Sequence, residues 1–181
     1  MLQMIDAETG LKMSMAVQRK PKNPRLAESN VFQIVTWTDG LGDAHNWTNR
    51  DAFLCRIKTQ DHLIYRLRKC GRDTRPALAV LHDTSSVPIG FAFASYDLLR
   101  LEFGVPGDIG PYEVKRAEDM LLVELLTYEE YLTGQVYTYT IYGPTGAVIE
   151  TRGDIYGEDY ADHLATTAFN NHRSGIGAGD A

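Results

Sequence analysis

Asp39, Asp43 and His45 fall within the seven residues DGLGDAH, between a β-rich run and a helical one, and carboxylate with imidazole is a donor set that suits Mn, Fe or Zn. The same stretch sets two glycines ahead of a helix start, where free backbone N–H groups can cradle phosphate. It stops short of either nucleotide signature: His45 stands where the dinucleotide fingerprint needs its third glycine, and the P-loop lysine is missing. Asp and Asn gather in strand-to-helix loops for turn and capping reasons alone, so a two-glycine turn accounts for the stretch. A small metal-dependent enzyme or ligand-binding domain using it is the alternative reading. Glu158, Asp159, Asp162 and His163 form a second acidic group. There Asp159 and His163 lie one helical turn apart on a shared face, a spacing that permits a metal or an acid–base pair. Carboxylates at a helix start also favour the macrodipole without doing chemistry. His62, His82 and His172 have no companion at catalytic spacing, and the sequence contains no nucleophile elbow, zinc-protease, kinase or paired-cysteine signature. No catalytic residue, metal or cofactor is assigned, and the enzyme reading has nothing specific beneath it.

Tyrosine and charge are the stronger signals. Seven of the ten tyrosines lie between positions 128 and 160, and tyrosines on a sheet face can stack exposed bases. Residues 113–162, however, carry eleven carboxylates and three cations, a field that repels a phosphate backbone. Tyrosine in an acidic frame suits instead an anchor for a basic protein surface, because it supplies contact area at low entropic cost. Tyr128, Glu129, Glu130, Tyr131 and Tyr142 are the candidate interaction residues. Glu129 and Glu130 come at the C-terminal end of a helix, where carboxylates oppose the macrodipole and have no helix-stabilising reason to be. Upstream the sign reverses: the segment bounded by Arg50 and Arg75 holds eight cations against three carboxylates, and a nucleic-acid binder using it is the second alternative. Such helices are also commonly solvated faces with snorkelling stems. Overall, residues 1–96 have a net charge of +4 and residues 97–181 of -10, an asymmetry that bears on association and partner choice rather than on fold.

The run LLTYEEYLTGQVYTYTI, residues 125–141, with a glycine turn after it and IYG before a final helix, resembles the C-terminal part of small proteins borne on bacterial plasmids and integrative elements. Their shared pattern is a helix ending in a tyrosine-rich YLTG followed by a VY hairpin. The resemblance covers about a quarter of the chain. It implies the company of a mobile genetic element rather than any chemistry; joined to the missing catalytic signatures and the acidic tyrosine cluster, it leads to the expectation of a non-enzymatic accessory protein of such an element that acts on a macromolecule. By analogy with the small acidic proteins such elements carry, it implies an anti-restriction or anti-CRISPR type of inhibitor whose partner is a nuclease or nucleic-acid-binding complex.

The elements that must position these residues are legible from period and punctuation. LKMSMAV, residues 11–17, alternates as a half-buried strand does, and DAETG before it can turn a hairpin back to residues 2–5. RKPKNPR, residues 19–25, combines four cations with two prolines and reads as a solvated connector. NVFQIVTWT, residues 30–38, predicts a strand, and Thr48 caps a helix that runs to Gly71 with Phe53, Leu54, Ile57, Ile64 and Leu67 at helical spacing, either unbroken or as two shorter helices parted near Thr59–Asp61. ALAVLHD and PIGFAFAS predict two compact strands, and Ser95 caps a short helix that stops at Gly104. Pro111 opens the longest helix, which ends by Gly134; Val114, Ala117, Leu121, Leu125, Tyr128 and Leu132 form its seam, while Met120, Leu122, Val123 and Leu126 widen its apolar surface toward a second neighbour or a second copy of the chain. QVYTYTIY and AVIETR around GPTG predict a hairpin whose Tyr139 packs under that long helix, and a last helix covers roughly 158–169.

With 181 residues, 44% of them hydrophobic, the chain can bury one good core. The expectation is an α+β fold: a largely antiparallel sheet packed against a long central helix and two or three shorter helices, in one domain over residues 1–170 with a disordered tail over 171–181. No apolar run approaches the roughly 20 residues a membrane span needs, and the N-terminus lacks a signal-peptide core, so a cytoplasmic protein with no membrane partner is expected. Cys55 and Cys70, fifteen residues apart on one helix, would be roughly 22 Å apart and are expected to be reduced thiols.

Overall fold

A computed structural model describes residues 2–26, 30–36, 43, 65, 79–82 and 88–175 of the chain. The helix expected over 48–71, the loop glycines and Asp39 and His45, the two cysteines and residues 176–181 lie outside the described residues, apart from Tyr65, which is helical and exposed. The protein is α+β with antiparallel sheets. Where the sequence predicts one domain over 1–170, the chain divides into two compact units, Met1–Asn23 with Glu130–Ala181, and Pro24–Glu129.

The first unit is built from both ends of the chain. Strands β1 (Leu2–Ile5), β2 (Lys12–Val17), β6 (Val136–Tyr142) and β7 (Val148–Tyr156) form one antiparallel sheet in the order β1-β2-β6-β7. Pairing of β2 with β6 joins segments more than a hundred residues apart, which encloses the intervening chain and leaves it to make its own sheet. In that pairing Met13 faces Ile141 and Met15 faces Tyr139. These four side chains are buried on one face of the sheet with Leu11, Tyr137 and Ile155. Helix α3 (Glu158–Arg173) covers that face with Ala161, Ala165 and Phe169, so Tyr139 packs under this last helix and not under the long one. The small alanines let the helix approach the sheet closely over Tyr137, Tyr139 and Ile141 of β6. Gly10, at φ 71°, closes the β1–β2 turn where a Cβ would come within 2.9 Å of the Pro144 Cβ in the β6–β7 turn, so only glycine fits there.

The β6–β7 register slips by one residue at two places, between Tyr137 and Tyr139 and between Ile141 and Tyr142. Tyr137 is opposite Ile155 but Tyr139 is opposite Arg152, so Gly153 and Asp154 bulge out. Asp154 takes φ 54°, and the side-chain amide of Gln18 fixes it by donating to Oδ1 at 2.8 Å and accepting from its N–H at 2.6 Å, while the Lys22 N–H donates to the same carboxylate at 2.9 Å. The bulge changes the phase of β7. Glu150 and Arg152 share the α3 side with Tyr139 and Ile141 before it, and Ile155 takes that side after it.

The second unit holds β3 (Gln33–Thr36), β4 (Ala79–His82) and β5 (Pro88–Phe93) in the order β3-β5-β4, then α1 (Tyr96–Phe103) and α2 (Pro111–Leu132), whose residues to Glu129 belong to this unit. Ser95 accepts from the Leu98 N–H at 3.2 Å, and Gly104 at φ 64° ends α1, as its sequence predicts. The core gathers Phe32, Ile34, Val35, Phe91, Phe93 and Leu99 with Ala117, Leu121, Leu125 and Tyr128 from the seam of α2. Among the described residues no helix is long and apolar enough to cross a membrane.

Two expectations are corrected here. Residues 171–173 belong to α3 and not to a tail, because the helix continues four residues past Phe169, with His172 and Arg173 at the end where cations suit the macrodipole. The 19–25 connector is not solvated throughout, because the Arg25 side chain is 4% exposed and is enclosed by ion pairs.

Candidate functional site

The five expected interaction residues divide between the units. Tyr128 is 1% exposed and belongs to the core of the second unit, so it cannot anchor a partner. This corrects the expectation, and the seam spacing of 3 and 4 that ends at Tyr128 is the physical reason. Glu129 is exposed in the same unit. Glu130, Tyr131 and Tyr142 are half-buried in the first unit, with Tyr142 at the far end of β6 from Glu130. Glu130 also gains the helix-stabilising reason that was missing. Its carboxylate lies against Gly157, the N-cap of α3, where a Cβ would overlap its oxygens and where the positive end of that helix favours a carboxylate. Burial, then the charges of Glu158 and Glu130, push the Tyr137 hydroxyl above the usual tyrosine range.

Asp43, a proposed metal ligand of the loop alternative, is spent elsewhere. Arg25 Nε and Nη2 donate to its two oxygens at 2.9 and 3.0 Å, and the Ile34 N–H donates to Oδ2 at 2.6 Å. Glu124 completes the cluster: Arg25 Nη1 donates to Oε2 at 2.7 Å and the Val31 N–H to Oε1 at 2.8 Å. Asp159 and His163 are both exposed on α3, and no hydrogen bond or ion pair joins them. Among the described residues no three His, Cys, Asp or Glu side chains converge as a metal site.

Two surfaces remain with functional character. The outward side of α2, opposite its seam, presents Leu122, Val123 and Leu126 at 58%, 65% and 56% exposure. With one turn every 3.6 residues these three form a single stripe, and Glu118, Asp119 and Glu129 border it. The cation Lys115 is committed to Asp119 at 2.7 Å.

The second surface lies between β7 and α3 in the first unit. The Tyr139 hydroxyl donates to Glu150 Oε1, and His172 Nε2 lies 2.8 Å from Glu150 Oε2. Burial first, and the Glu150 hydrogen bond second, push the Tyr139 hydroxyl up to about 12. The Tyr139 hydroxyl, more than any other neighbour, holds the Glu150 carboxyl below the usual carboxylate range. A carboxylate accepts only, so His172 Nε2 carries the proton that points at it. Arg152, Leu164, Thr167, Ala168 and Asn171 complete the walls of a cavity of about 280 Å³ here. No sequence spacing pairs Glu150 with His172, twenty-two residues away. The available signals were the i, i+2 placement of Glu150 and Arg152 on one strand face and the stripe of Leu164, Thr167, Ala168, Asn171 and His172 along one helix face.

No protein-family model, curated protein or solved structure matches the chain.

Proposed function

We propose that the protein is a non-enzymatic binding protein that engages a basic protein partner through the outward face of α2. The observation that carries this reading is the exposed stripe of Leu122, Val123 and Leu126 on a helix whose opposite side is already buried. An apolar centre with a charged border is the anatomy of a protein interface. Its sign selects the partner. A second copy packed on the same stripe, antiparallel, would set Glu118 and Asp119 against Glu129, so like charges would meet, whereas a basic surface would be attracted. The resemblance of residues 125–141 extends the proposal to an accessory protein of a mobile element whose partner is a nuclease or another nucleic-acid-binding protein, since such partners are basic.

The test uses a partner recovered from the native host and then purified. Leu122→Asp with Leu126→Asp should weaken its binding by about tenfold or more while the unfolding midpoint stays put, and binding should weaken as salt rises. A partner held equally by the double variant, and indifferent to ionic strength, removes the proposal.

A further inference from the structure

We propose that the groove between β7 and α3 is a binding site for a small organic monoanion of the carboxylate class. The floor is apolar, from Leu164 and Ala168, and the wall of about 280 Å³ of space is polar, from Arg152, Thr167, Asn171 and His172. That volume is near the lower end of the roughly 300–1,000 Å³ typical of ligand clefts, which limits the occupant to a small molecule.

Donor accounting fixes the charge of the ligand. Each Glu150 oxygen already accepts one hydrogen bond, from the Tyr139 hydroxyl and from His172 Nε2–H, so both oxygens of the site's own carboxylate are occupied. Arg152, exposed and two residues along the same strand face, has no ion pair within 4 Å among the described residues; its charge acts on Glu150 from farther off and one donor is shared with the Tyr139 hydroxyl, which leaves further guanidinium donors for a ligand. Its guanidinium is a planar fork that matches a carboxylate with two parallel hydrogen bonds. The Thr167 hydroxyl and the Asn171 amide add donors on the facing helix. One negative charge on the ligand is what Arg152 can neutralise. A dianion would leave its second charge facing Glu150, which the Tyr139 hydrogen bond keeps ionised. The apolar floor then takes the organic body of the ligand. The fold was prepared for this by the bulge at Gly153 and Asp154, which lets Glu150 and Arg152 point to the α3 side without disturbing Ile155 in the core.

The experiment is a titration of the full chain, labelled with 15N, with acetate, benzoate and inorganic phosphate, and with benzamide as the uncharged match of benzoate. Benzoate should shift the amides of Thr167, Ala168 and Asn171 saturably, with benzamide and phosphate weaker by about tenfold or more. Arg152→Gln, at an exposed position, should lose benzoate by a similar factor with an unchanged unfolding midpoint. The proposal is overturned if neither acetate nor benzoate shifts these amides. It also fails if benzamide or phosphate saturates them as readily as benzoate, or if Arg152→Gln binds benzoate as the native chain does. The α2 surface plays no part in any of these outcomes.

Discussion

Arg25 in the second unit is a charge held away from water and Glu150 in the first is a charge 36% exposed, and their surroundings are completed in opposite ways. Arg25 has four acceptors around one guanidinium: both Asp43 oxygens, one Glu124 oxygen and the Phe32 carbonyl. Burial works against its charge, yet the hydrogen bonds of Asp43 and Glu124 outweigh that and hold the guanidinium above its usual range. The carboxylates in turn bind the Val31 and Ile34 amides, so every strong group is used and the cluster ties the start of β3 to α2. Glu150 accepts from the Tyr139 hydroxyl and from His172, and Arg152, whose charge acts on it without forming an ion pair within 4 Å, lines the cavity wall. A closed network holds a chain together, and an open one has capacity for something else. The contrast explains why an acidic cluster seen in sequence, at Asp43, turned out structural, while an unremarked pair in AVIETR faces a groove.

The largest effect that could break this contrast is at Arg25. Arg25→Ala leaves Asp43 and Glu124 facing each other with no counter-charge, and removing one partner of a buried ion pair costs about 3–5 kcal/mol. Urea unfolding reads it directly. A loss under about 1 kcal/mol would mean that water reaches the carboxylates and that the network is as open as the one at Glu150.

The next largest effect separates the two sides of α2. Leu121 is 2% exposed and Leu122 is 58% exposed, neighbours in sequence that point about 100° apart around the helix. Leu121→Ala should cost about 2–5 kcal/mol and Leu122→Ala within about 0.5 kcal/mol. Equal losses would show that Leu122 is covered in solution, and would send the outward stripe back to the core.

Periodicity carried the fold a long way. The alternation of Met13 and Met15, the GPTG hairpin, the Ser95 and Gly104 caps and the Pro111 start are local signals, and each marks an element that the structure contains. What stayed hidden was long-range. Nothing local says that β2 pairs with β6, that α3 rather than α2 covers Tyr139, or that Arg25 meets Glu124 ninety-nine residues on. The polar run NNHR looked unable to order itself because its stabilising contact, His172 to Glu150, is made across the fold. Of the expected interaction residues, Tyr128 misled most: it is core, as Tyr139 is, and amphipathic side chains look the same in sequence whether they pack or project. The exposed apolar stripe on α2 was legible, since a helix too apolar for one seam must show its second side to something.

The smallest effect tests the open network from within. Tyr139→Phe keeps the buried ring and removes the hydroxyl, so Glu150 Oε1 loses one donor while His172 stays on Oε2; because Glu150 is partly exposed, water can replace the hydroxyl and the cost should be about 1 kcal/mol or less. Its signature is in the pH dependence. The Glu150 carboxyl is held below its usual value in the folded chain, so its contribution is fully present above the unfolded glutamate value of about 4.3 and is lost as pH falls through the lower folded value. Since the Tyr139 hydroxyl is the main cause of that depression, the gap between native and Tyr139→Phe stability should be widest near neutrality and shrink toward pH 3. On the alkaline side the sign is the reverse. The Tyr139 hydroxyl is pushed up to about 12, so its contribution holds below the unfolded tyrosine value of about 10 and fades as pH rises through 12. A gap that stays constant from pH 7 to pH 3 would mean that the hydroxyl stabilises by packing alone, and that Glu150 does not need it to remain a carboxylate beside Arg152.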